Sequence, residues 1–171
     1  MEIEKISIRG RVAFGILCLE MFIKHLNYDF SKWKIIIDEL WSFTNSNIGL
    51  WHEKISEMTP FSILEEIPFE KKGCECINEK KHNELQLLYK NSNAEILKII
   101  NLIFDIGTRD SYSSISNFSP DTIKYLNEII SILEQNSIQL PNEKLFINQS
   151  ISENQGWGKE FSKEDILSEE I

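Results

Sequence analysis

The sequence predicts an all-α, single-domain bundle of about six helices around a buried N-terminal helix, with a partly irregular tail over 142–171. Three observations predict it. Arg9 to Asn27, RGRVAFGILCLEMFIKHLN, is apolar on nearly every side. A helix with that pattern is buried or spans a membrane, whereas a surface helix shows one apolar stripe. Arg9, Arg11, Glu20 and Lys24 interrupt it, and its apolar run is far shorter than the roughly 20 residues a bilayer needs. Burial in a water-soluble core is the expectation. Second, the later apolar residues recur at helical spacing, and no run alternates with period two over a useful length. Third, cap residues punctuate those segments at regular places. The 171 residues are one domain's length, enough to bury roughly 70% of the unfolded surface without a disulfide or metal.

Each element has a local cause. After the first helix, Asp29 or Ser31 is placed to cap a second that runs to about Thr44. Trp33, Ile36, Ile37, Leu40, Trp41 and Thr44 make its inward face, with Lys34 and Asp38 on the other. Asn47 caps a third helix carrying Trp51, Ile55 and Met58. Thr59-Pro60 reads as a cap followed by proline at the first helical position, starting a short helix that ends before Pro68. Residues 69–81 are polar and hold Gly73, the expected internal loop. A helix resumes near Asn78, and Asn91-Ser92-Asn93 breaks it. The next, from about Ala94 to Ile106, turns Ile96, Ile99, Ile100 and Ile103 inward, with Gly107 as its expected stop. Ser119-Pro120-Asp121 starts another, ending near Asn136, with Ile123, Leu126, Ile129, Ile130 and Leu133 facing the core. From Asn142 onward there are seven acids and three bases, with Phe146, Trp157 and Phe161 as apolar anchors. A tail that packs back through those anchors and frays at its end is expected.

Charge and cysteine usage bound the partners. Eighteen basic against 27 acidic side chains give −9. Phosphate-backbone binding needs clustered Lys and Arg, so nucleic acid and anionic lipid are disfavoured and a basic protein partner is favoured. Three cysteines, with no apolar h-region at the N-terminus, do not suggest a disulfide framework; the expected compartment is the cytoplasm. Cys74-Glu75-Cys76 with His82 offers three zinc ligands where a structural site needs four, so two ordinary thiols on a loop are expected. His25, His52 and His82 lack a companion nucleophile or metal motif. Asp105 to Asp110, with Arg109 between acids, reads as a solvated turn. No cofactor is implied.

Two constellations remain. Arg9, Arg11 and Glu20 place charges inside an apolar helix, where they must be paired. They form either a polar pocket between helices or structural pairs, with Glu20 to Lys24 available at i,i+4. Trp157 between Gly156 and Gly158, with Glu160, Phe161 and Asp165, is the candidate partner contact, since Trp is enriched at binding hot spots. The Arg11-to-Leu64 segment, including IIIDELWSFTN (35–45), and the later Gly156-Trp157-Gly158 resemble small all-helical bacterial proteins akin to the immunity proteins of polymorphic-toxin systems. The resemblance covers about a third of the chain and brings no functional residue with it. It implies a non-catalytic interaction module that inhibits a partner toxin. The alternative is an enzyme or small-ligand protein using the Arg9/Arg11/Glu20 pocket.

Overall fold

The computed structural model describes residues 2–168. The bundle consists of α1 (Ile8–His25), α2 (Phe30–Trp41), α3 (Ile48–Ser56), α5 (Glu79–Lys90), α6 (Ala94–Thr108) and α7 (Pro120–Gln135). Two one-turn helices, α4 (Pro60–Leu64) and α8 (Lys163–Leu167), join them. Among the described residues the β-structure is one isolated antiparallel bridge, Ile6 to Ser150.

α1 is the central strut. Fifteen of its 18 residues are buried, and it packs on α2, α6 and α7 at once. That is why its sequence has no polar face. Ser7 caps it, accepting from the Gly10 N–H. The caps at Asp29, Asn47, Thr59, Asn78 and Asn93 all accept first-turn amides, satisfying donors that a helix start leaves orphaned. α6 is the second strut, packing on both α1 and α7 and reaching α3 and α4.

Three local expectations are corrected. Gly107 does not stop α6; the helix runs through it to Thr108. Gly107 is there because Trp51 lies on it: an added Cβ would stand 2.9 Å from the indole ring and 3.2 Å from Phe43. Ser119 precedes α7 as expected, but it makes no side-chain cap. It adopts φ 51°, and its hydroxyl instead donates to Asp110 Oδ2 at 2.5 Å. The second helix also ends at Trp41, with Ser42–Asn45 a tighter 3-10 turn.

The tail is a strap with little regular structure and many anchors. Phe146 and Phe161 are buried. The Ser7 N–H donates to the Gln149 carbonyl, and the Ile151 N–H to the Lys5 carbonyl. The Arg9 N–H, an orphan of the first turn of α1, donates to the Trp157 carbonyl at 3.1 Å. Thr44 then exchanges two bonds with Phe161, carbonyl to N–H and hydroxyl to carbonyl. The strap therefore closes the N-terminal end of the central helix. The expected fraying of the last residues lies outside the described residues.

Candidate protein-interaction groove

The three charges of α1 turn to three different sets of partners. Arg9 donates to the Phe43 and Ser46 carbonyls, lies over the Phe43 ring, and meets Glu160 at 3.4 Å. Burial lowers its pKa, an effect Glu160 opposes. Glu20 accepts from Trp41 Nε1 at 2.8 Å and from Lys163 Nζ at 2.6 Å, so it ties α1 to α2 and to α8. Lys24 does not complete the i,i+4 pair; it lies over the Phe30 ring. Arg11 is fully buried. It donates to the Phe118 carbonyl (2.7 Å), the Thr122 hydroxyl (2.6 Å), the Ser119 carbonyl (3.3 Å) and the Glu4 carbonyl (3.1 Å). Burial pushes its pKa down to about 10, with Asp110 and Glu4 pulling the other way. These contacts give all three groups structural work within the protein.

That work positions a site on the surface. Arg11 holds the Phe118 and Ser119 carbonyls of a left-handed run, Asn117, Phe118 and Ser119, at φ 48°, 59° and 51°. A bulky residue at positive φ is a conformational outlier, and each such residue costs about 1–3 kcal/mol that its surroundings must hold. Opposite stands a second left-handed run, Asn154, Gln155 and Gly156 at 46°, 55° and 98°. Gly156 also needs the absence of a side chain, because a Cβ would stand 2.9 Å from Ile115. Gly158, at φ 83°, approaches Ser7 even more closely. Both glycines around Trp157 are thus fixed by backbone geometry.

Between the two runs lies a groove of about 670 Å³. Ile115, Phe118, Ile151 and Trp157 form its apolar walls, and serine, asparagine and glutamine fill the rest. No charged side chain lines it, in a chain that is 26% charged. Phe118 is 54% exposed and Trp157 half-buried. Both aromatic walls are pinned through their carbonyls, Phe118 by the Arg11 guanidinium and Trp157 by the Arg9 amide.

The other candidate contact residues divide. Phe161 is buried and unavailable as a surface contact. Asp165 closes a capping box with Ser162, whose hydrogen bonds hold its carboxyl below the usual range. Glu160 is open to solvent while facing Arg9. Phe118 and Ile115 carried no signal in the sequence. They sit in a segment that reads as a polar connection, and a left-handed phenylalanine has no sequence signature.

Elsewhere, Cys76 is exposed and Cys74 half-buried. Both thiols are pushed up by burial and then by Glu57, which makes them poor nucleophiles. Glu57 itself accepts from the backbone amides of Glu75, Cys76 and Ile77. His82 is buried beside Phe69. Among the described residues no three His, Cys, Asp or Glu side chains are grouped to hold a metal. Arg109 pairs with Asp121 at 2.6 Å. No helix among the described residues is long and apolar enough to cross a membrane. No family model matches the chain, and neither the curated proteins nor the solved structures give a match.

Proposed function

We propose that this protein is a non-catalytic interaction module of the immunity type, which inhibits a basic partner toxin by presenting the Phe118–Trp157 groove. The observation that carries the reading is Phe118 itself. A large aromatic side chain is held half in solvent, on a backbone conformation it disfavours, by a buried arginine. Binding hot spots combine rigid aromatic anchors with an uncharged centre, and the groove has both. Its rigidity also lowers the ordering cost on association.

Charge supplies the long-range part. A net −9 steers a basic protein toward the molecule and repels nucleic acid. The groove then supplies short-range contact without burying a charge, which would be costly to desolvate.

The test is co-expression with each protein encoded beside this gene, a toxin among them being the expected partner. The intact chain is expected to restore growth and to form a complex with the toxin. Phe118→Gly and Trp157→Ala are expected to lose both. Undiminished protection by folded Phe118→Gly and Trp157→Ala variants contradicts the groove, and failure of the intact chain to bind the toxin contradicts the function.

A further inference from the structure

The walls of the Phe118–Trp157 groove have spent much of their backbone. The Phe118 and Ser119 carbonyls accept from Arg11, and the Trp157 carbonyl accepts from the Arg9 amide. The Ser119 amide donates to the Ser116 carbonyl, the Trp157 amide to Asn154, and the Gly156 and Gly158 amides both to Glu153. Several lining side chains, by contrast, are uncommitted. Among the described residues Ser114, Asn117, Gln155 and the Trp157 indole N–H have no hydrogen-bond partner within the protein. The groove therefore combines two aromatic side chains, open side-chain donors and closed backbone, with no charge.

We propose that the occupant is an extended, proline-rich segment of the partner protein in the polyproline II conformation. This rests on the groove being a partner site and names what enters it. Backbone accounting selects that conformation. A strand added to the protein needs a free, extended edge, and the left-handed residues of both walls cannot form one. An α-helix satisfies its own carbonyls, so it would cover the groove's donors and leave them unmet. A polyproline II segment has no internal hydrogen bonds, and its carbonyls are free to accept from Asn117, Gln155 and Trp157. Proline adds two matches. Its apolar ring packs on aromatic side chains, as in other aromatic-lined grooves. It also has no N–H, the group that spent wall carbonyls could not receive. Its preset φ lowers the ordering cost of binding. The entering segment is uncharged like the lining, and basic residues of the partner belong outside the groove, where the net −9 acts.

The test is a ¹H–¹⁵N NMR titration of the full chain with a blocked polyproline peptide of about ten residues, up to about 2 mM. Saturating shifts are expected at the Trp157 indole N–H and at the amides of 113–118 and 151–157. Phe118→Gly and Trp157→Ala, each with its fold verified by thermal melting, are expected to weaken binding about tenfold or more. A blocked, uncharged alanine–glutamine peptide of about 20 residues, long enough to form a helix, is expected to leave those signals unmoved. No saturating shift at Trp157 overturns the proposal. So does an equal response to the helical peptide, or polyproline binding that Trp157→Ala leaves intact. A neighbouring protein that binds the chain through Phe118, with no polyproline response, upholds the partner groove and rejects this occupant. Polyproline binding without any protein partner upholds the occupant and rejects the immunity reading.

Discussion

At the scale of single residues, Gly107 and Asp105 separate local propensity from packing. Gly→Ala inside a helix ordinarily stabilises by about 1 kcal/mol. At Gly107 the added methyl meets a rigid indole at 2.9 Å. Overpacking of that kind costs about 1–3 kcal/mol, so Gly107→Ala is expected to lower the melting temperature. A rise contradicts the close packing of α6 on Trp51. Asp105 is half-buried on the same helix, and burial raises its carboxyl pKa above 3.8. The folded state therefore holds that proton more tightly than the unfolded state, and stability falls as pH rises through the window just above 3.8. Asp105→Asn removes the penalty. It is expected to melt higher than the parent at pH 7, with the difference vanishing at about pH 3, where both forms are neutral. Neither residue announces its role in the sequence. Gly107 reads as a helix stop because glycine favours that place, and only the position of Trp51 reveals the other reason.

At the scale of elements, the helices were largely legible and their partners were not. α1 read as buried because its apolar residues lack a period with a polar side, and α2, α6 and α7 read as helices from their stripes and caps. The sequence carried no sign that Lys163, far along the chain, reaches Glu20, or that Arg11 holds Phe118 and Ser119. Those contacts depend on how the strap and the 108–118 connection fold over α1, and irregular backbone has no period to read. Arg11 is the element-level test. Arg11→Met keeps much of the side-chain volume but leaves the Phe118 carbonyl and Thr122 without their charged donor. Loss of hydrogen bonds to a charged group at a buried site costs about 1.5–3 kcal/mol each, so a destabilisation of roughly 3–6 kcal/mol is expected from those two in urea unfolding. The amides of 117–119 should also exchange faster with solvent in that variant. Unchanged exchange there means that the left-handed run holds itself.

At the scale of the whole molecule, a solid helical core supports a surface whose distinctive parts are irregular. The candidate contacts were half legible. Gly156-Trp157-Gly158 stood out as a motif, and the structure explains both glycines by positive φ and close approach. Phe161, taken with it as a contact, is buried by its bonds with Thr44, and Phe118, the more exposed aromatic, was hidden in a polar stretch. Regular elements bury what the sequence marks as apolar, whereas strained loops display it, so periodicity finds the core and misses the groove.

Phe118→Gly tests the central claim most directly, because it separates fold from contact. Glycine accepts φ 59° without strain, which offsets its greater unfolded-state freedom, so stability should stay within about 1 kcal/mol of the parent. The measurement is calorimetric titration of the parent and of Phe118→Gly with the partner protein that the co-expression test identifies, alongside their melting curves. The account predicts similar melting temperatures and an affinity reduced about thirtyfold or more, as for a hot-spot anchor. Equal affinities at equal stability would contradict it.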